Sequence, residues 1–329
     1  MRALRITDLL PDFGGCHLQQ IDPPKAAAGQ IVIKVRAATL GFPDLLMTHG
    51  GYQMKPELPF TLGMEFAGEV VECGDDVTDF AVNDRVVSGG FLGGTGGFAE
   101  FALGQAATAR KIPDNLDFAQ AAALGTAYLT AYVGLVRCGA LQKGEYLLVH
   151  GAAGGVGLAA LDLGRHLGAK LIATASSSEK MQVIADKYAP EAVLNVGDGF
   201  REKVKSLTDG GADVIYDPVG GDVFDESVRC IGWGGRLLVI GFASGRIAQI
   251  GTNMPLIKGF SVVGVRAGEF GRRNPKLGAQ NQNIIWQLAA KGAINPHVHK
   301  MLPLADWREA FAMMENRQVI GRVLLDPSA

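Results

Sequence analysis

The sequence predicts an α/β fold, a doubly wound parallel sheet inserted into a β-rich domain that uses both ends of the chain. Three observations predict it. Between residues 145 and 264 short apolar runs alternate with helix-forming stretches, a spacing that produces parallel strands covered by helices. Residues 1–122 are instead rich in short strands and turns. Beyond 264 the chain returns to mixed structure, with a helix near 278–291 and a last strand at 319–325. The expected domains are 1–122, 123–264, and a return segment 265–329 that completes the first.

In order, "IVIKVRAA" (31–38) and "FAGEVVE" (66–72) alternate well enough to be strands, and "NDRVVSGG" (83–90) is a strand ending in a glycine turn. "AQAAALGTAYLTAYVGLV" (119–136) is helix-forming. Strands are then expected at 145–150, 171–175, 191–195, 212–216, 235–240 and 260–264, with helices over 155–167, 178–188 and 199–207.

Composition sets the limits. The chain of 329 residues suits roughly two domains. At 48% hydrophobic and 19% charged it can bury a sizeable core, which excludes global disorder. Its 45 glycines follow no period, which implies tight turns and no fibrous repeat. A net charge of −2 gives no general attraction to nucleic acid or to an acidic membrane surface. The N-terminus "MRALRITDLLPDFGG" lacks the apolar core of a signal peptide, and no apolar run approaches the ~20 residues of a membrane span. Cys16, Cys73, Cys138 and Cys230 form no CxxC pair, which suits reduced thiols in a cytoplasmic protein.

The motif with chemical content is "LLVHGAAGGVGLAALDLGRHLGA" (147–169). Gly151, Gly154 and Gly157 lie between a strand and a helix whose Val156, Ala160, Leu163 and Leu167 share one face. In that context glycines let backbone approach a pyrophosphate, and the helix start directs free N–H groups at it. The next strand ends "IATASSSEK". A site for NAD carries an acid there; Ala175, Ser176 and Ser177 carry none. The hydroxyls of Ser176 and Ser177, with Lys180 beyond, suit the 2′-phosphate of NADPH, although Ser177 or Ser178 could instead cap a helix.

With these residues in view, the chain resembles the medium-chain dehydrogenase/reductase superfamily, and within it the zinc-free quinone oxidoreductase branch that includes the zeta-crystallins. The resemblance runs through "GFPDLLMTHGGY" (41–52), "LGMEFAGEVVECG" (62–74), "AAALGTAYLTAY" (121–132), "HGAAGGVG" (150–157), "YDPVGG" (216–221), "GRLLVIGFASG" (235–245) and "GRVLLDP" (321–327). It implies a Rossmann-type domain for NADP(H) inserted into a GroES-like catalytic domain. Where the superfamily's alcohol dehydrogenases place Cys and His zinc ligands, this sequence has Phe42 and Met64, and the four-cysteine structural-zinc loop is missing. Glu65 then reads as a buried, hydrogen-bonded structural residue. His297 and His299 read as surface residues, so no metal is expected.

Without zinc, an easily reduced acceptor remains accessible. Quinones and α,β-unsaturated carbonyls develop negative charge on oxygen as hydride arrives and need a donor there. The resemblance implies Tyr52 and Arg266 as candidate donors, and Thr126 and Thr130 as lining for the nicotinamide, unless these threonines only back-bond within a helix. It further implies Phe42, Gly154, Gly155, Val156, Ser176, Ser177 and Lys180 for the cofactor, Val219 and Gly220 for its adenosine half, Phe242 and Ser244 for the nicotinamide amide, and Arg322 for the ribose or phosphates. Asp44 could simply cap a helix start. Gly41, where several relatives have Asn, Val196, where they have Tyr, and residues 264–275 depart from the family pattern. An enoyl-thioester reductase and a cofactor- or RNA-binding protein with little turnover are the competing readings. The resemblance also implies a homodimer paired through the apolar edge strand "FSVVGV" near 260–265.

Overall fold

In the computed structural model, which describes residues 1–90 and 94–329, the chain forms two compact units, Met1–Gly125 with His297–Ala329, and Thr126–Pro296. The return to the first unit comes at 297 and not at the expected 265. Residues 265–296 are tied into the second unit. The fully buried Asn281 accepts from Arg137 Nε at 2.9 Å, and the Asn295 N–H donates at 2.7 Å to the buried Asp162 carboxylate.

The second unit is a six-stranded parallel sheet. In chain order its strands are Tyr146–Val149, Lys170–Ala175, Ala192–Asn195, Ala212–Asp217, Ile231–Val239 and Ser261–Gly264. Across the sheet they run third, second, first, fourth, fifth, sixth, the doubly wound Rossmann order, which reverses direction between the first and fourth strands. Helices Gly155–His166, Ser178–Tyr188, Arg201–Thr208 and Gly221–Cys230 fall between strands. The central strands bury nearly every side chain, as a sheet covered on both faces requires: Leu147, Leu148 and Val149 are fully buried, as are Val214, Ile215 and Tyr216. The fifth strand begins at Ile231, earlier than expected, because "IGWGG" extends as strand despite its glycines.

The first unit is mainly antiparallel. Gln30–Leu40 is its central strand and pairs with Glu65–Cys73, Phe101–Gln105 and Arg322–Asp326. A smaller sheet joins Arg2–Ile6 to Cys16–Gln20 and Phe60–Thr61. Phe66, Phe98 and Phe311 are fully buried in its core, where Phe311 meets Trp307 edge-on at 5.3 Å.

Helix Phe118–Tyr132 continues into a π-helical stretch, Val133–Cys138. Contrary to expectation, this 21-residue run is apolar enough by length and composition to cross a bilayer, with a mean hydropathy of 1.2. It is alanine- and leucine-rich because 61% of its apolar window is buried within the protein, as in a core helix.

Candidate functional site

The glycine turn follows the first strand of the parallel sheet, at the point where the strand order reverses. Gly151 turns the chain with a φ of 53°, and its carbonyl accepts the Gly154 N–H at 3.0 Å. Gly157 is demanded by packing. A Cβ there would lie 2.5 Å from the Gly151 carbonyl oxygen and 2.7 Å from Ala152 Cα, so the helix could not sit this close to its own turn. Gly154 is the N-cap of helix Gly155–His166 and, having no side chain, leaves the helix's first N–H groups without a side-chain cap. Backbone donors and the positive end of a helix thus converge on one place, the arrangement that holds a phosphate.

Across the reversal lies a second turn, Pro218–Val219–Gly220. The Asp217 carboxylate builds it, accepting the N–H groups of Val219 at 2.8 Å and Gly220 at 2.9 Å. Burial raises the pKa of Asp217, and the two N–H donors oppose that rise. The turn is laced to the segment after the fifth strand by Ala243 N–H to Pro218 O at 3.1 Å and Ser244 N–H to Val219 O at 2.9 Å. Phe242, 47% exposed, lies against Gly220, and the Ser244 side chain against Gly221. The two turns touch, since a Cβ on Gly151 would be 3.1 Å from Val219 Cγ2. Gly154, Gly155, Val156, Val219, Gly220, Phe242 and Ser244 therefore gather at the carboxyl ends of the parallel strands.

Ser176, Ser177 and Lys180 follow the neighbouring strand, Lys170–Ala175, at the same end of the sheet. Ser176 is exposed. Ser177 is the N-cap of helix Ser178–Tyr188, its Oγ accepting the Lys180 N–H at 3.4 Å, so the capping alternative is realised. Thr130 donates its hydroxyl to the Thr126 carbonyl at 2.7 Å, the helical back-bond, while Thr126 itself is exposed. Arg266 is exposed at the N-cap position of helix Ala267–Arg273.

The remaining candidates belong to the first unit. Phe42 opens helix Phe42–Thr48 and is 53% exposed. Tyr52 is half-buried against the apolar core. Arg322 donates to Glu65 Oε2 at 2.5 Å in an ion pair whose side chains are only 13% and 15% exposed. Gly125 makes room for this pair, because a Cβ there would be 2.5 Å from Glu65 Oε1. The fully buried Asp44 adds a third charge. It accepts the N–H of Gly41 at 2.8 Å and of Gly63 at 3.1 Å, the first of these capping the helix start. Burial pushes its carboxyl up to about 6; the two hydrogen bonds lower it, and nearby Glu65 raises it further. Among the described residues no group of three His, Cys, Asp or Glu could hold a metal ion. Met64 is a poor donor to zinc, Phe42 offers no donor atom, and Glu65 is engaged by Arg322, so these residues do not fit that ion.

Sequence reasoning missed the roles of Asp217, His150 and the Asp44–Glu65–Arg322 cluster. For Asp217 a signal exists, an acid ending an apolar strand just before a Pro-Val-Gly-Gly turn. For the cluster none does, because Glu65 and Arg322 lie 257 residues apart.

The chain is similar to known proteins in both sequence and fold. A family model described as zinc-binding dehydrogenase matches residues 155–279, and one described as alcohol dehydrogenase GroES-like domain matches residues 27–114. A quinone oxidoreductase-like protein 2 homolog from Nematostella vectensis is 40% identical over 90% of this chain and 81% of its own length. The native structure of mycobacterial Rv1454c complexed with NADPH has a TM-score of 0.89 at 30% identity, covering 99% of this chain and 100% of that one. A quinone oxidoreductase structure from Pseudomonas syringae pv. Tomato DC3000 has a TM-score of 0.87 at 28% identity, covering 99% of each chain.

Proposed function

The chain belongs to the quinone oxidoreductase branch of the medium-chain dehydrogenase/reductase superfamily, and from that premise we propose that it passes hydride from NADPH to a quinone or α,β-unsaturated carbonyl without zinc. The observation that carries this reading is the pair of turns meeting where the strand order reverses, one built of helix N–H groups and glycine, the other held by Asp217.

In this reading NADPH, when bound, supplies the hydride. The N–H groups of Gly155 and Val156, at the helix start that Gly154 opens, take the pyrophosphate. Ser176, Ser177 and Lys180 receive the 2′-phosphate. Val219 and Gly220 hold the adenosine half, and Phe242 and Ser244 orient the nicotinamide amide. Thr126, Thr130 and Phe42 contribute lining, and Arg322 contributes its charge while held by Glu65. Tyr52 or Arg266 donates to the oxygen that gains charge as the acceptor is reduced. Zinc independence is supported by the donor set, since Phe42 and Met64 offer no suitable ligand and Glu65 is committed to a guanidinium.

The test is NADPH consumption by EDTA-treated protein against ortho- and para-quinones, enones and enoyl thioesters. Quinone or enone turnover that survives chelation is expected. Turnover of enoyl thioesters alone would reassign the substrate, and loss of quinone turnover on chelation would overturn zinc independence.

We further propose a homodimer formed along the edge strand Ser261–Gly264. Val262 on that strand is 37% exposed, and Trp233, Leu256 and Ile257 in the same unit are 83%, 80% and 69% exposed. A monomeric mass by light scattering at micromolar concentration would refute it. The cytoplasm is the proposed compartment, supported by four unpaired cysteine thiols.

A further inference from the structure

We infer that His150 is a positioning residue: a neutral imidazole, fixed in one tautomer, that braces the glycine turn against helix Gly221–Cys230 and thereby sets the gap between the two turns. The inference rests on the proposal that these turns hold NADPH.

His150 is the last residue before Gly151 and is fully buried. Its Nδ1 lies 2.9 Å from Thr174 Oγ1 and its Nε2 lies 2.8 Å from Ser227 Oγ. The proton positions follow from counting donors. Ser227 has one hydroxyl proton and gives it to the Val223 carbonyl at 2.7 Å. Ser227 Oγ is therefore an acceptor toward the ring, and the ring proton sits on Nε2. Nδ1 is then bare and accepts from the Thr174 hydroxyl. Each ring nitrogen is satisfied, and the Nε2–H tautomer alone satisfies both.

The anchors connect the parts of the site. Thr174 holds the ring with its hydroxyl and the turn with its carbonyl, which accepts the Ala152 N–H at 3.0 Å. Ser227 lies on the helix that follows Val219 and Gly220. The His150 N–H bonds to the Tyr216 carbonyl at 3.0 Å, on the strand that ends at Asp217. Phe200 flanks the ring at 4.7 Å between centroids and fixes its tilt. One side chain thus spans strand, turn and helix at the place where Gly151 meets Val219. A change in its length or tautomer would move one turn relative to the other.

The experiment uses the full chain. Nitrogen-15 NMR of the histidine rings is expected to show the Nε2–H neutral form for His150. NADPH titration of the unaltered protein, T174V and S227A is expected to give dissociation constants raised about 5- to 10-fold in each variant, as one lost hydrogen bond would. The acceptor KM should stay unchanged. The double variant is expected to bind no more weakly than the worse single variant, because both act through one ring. An Nδ1–H tautomer, equal NADPH affinity in variants that remain folded by circular dichroism, or effects that simply add would each overturn the inference. If the unaltered protein fails to bind NADPH, the cofactor proposal itself falls and takes this one with it.

Discussion

The region around the glycine turn and the region around Glu65 bury polar groups in opposite ways. At the turn the work is done by backbone N–H groups, by a carboxylate that caps two of them, and by an imidazole kept neutral by burial, its pKa down to about 3. Around Glu65 three charged side chains, Asp44, Glu65 and Arg322, are drawn from distant segments and depend on one another. A site built of backbone is sensitive to volume, because close approach is its whole content. A cluster built of charge is sensitive to losing a partner, because each remaining charge has been taken from water.

Removing one charge is the largest expected effect. R322M leaves the Glu65 side chain, only 15% exposed, without the Arg322 guanidinium and should cost about 3–5 kcal/mol of stability by chemical denaturation, while E65L combined with R322M should regain most of it. If R322M costs nothing, the cluster is not held by charge.

The two regions should also answer acid with opposite signs. His150 has a folded pKa below its ordinary 6.5, so its contribution is present above that value and is lost as pH falls toward 3, with a slope up to ~1.4 kcal/mol per pH unit. Asp44 has a folded pKa of about 6 against an ordinary 3.8, so its contribution is full below 3.8 and is lost as pH rises through 6, about 3 kcal/mol in all. Hydrogen exchange from pH 4 to 6 should therefore show protection at Ala152 growing with pH and protection at Gly63 falling. D44N should flatten the second trend and leave the first.

Volume comes next. G157A should cost about 1–3 kcal/mol and weaken NADPH binding more than 10-fold, since the new methyl meets backbone that cannot yield. G154A, whose Cβ would be 3.4 Å from the nearest atom, should leave stability close to that of the unaltered protein. The smallest effect is expected at a surface cluster. E269Q breaks exposed pairs with Arg272 and Arg273 and should not shift the melting temperature measurably.

Much of this was legible in the sequence, for identifiable reasons. The parallel strands announce themselves as apolar runs because both sheet faces are covered, and the glycine turn is contiguous in the chain. The start of the fifth strand at Ile231 is hidden by the glycines of "IGWGG". The return at 297 is hidden because it depends on Asn281 and Asn295 finding partners far back in the sequence. Glu65 was recognisable as a buried, bonded residue, but its partner was not, since no local pattern links residue 65 to residue 322. His150 carries no local signal of its role, which emerges only when Thr174 and Ser227 are placed beside it.

The interrupted path of the first unit orders events during synthesis. The second unit is one continuous stretch, Thr126–Pro296, and is complete while the remaining residues are still inside the ribosome. The first unit begins earlier and closes later, because strand Gln30–Leu40 waits for strand Arg322–Asp326 to pair with it. Until then the Ala38–Leu40 end of that strand lacks a neighbour on one flank and Glu65 has no guanidinium. The nascent chain must therefore carry a partly open sheet edge through the making of residues 41–321, and it is during that interval that a chaperone would find it.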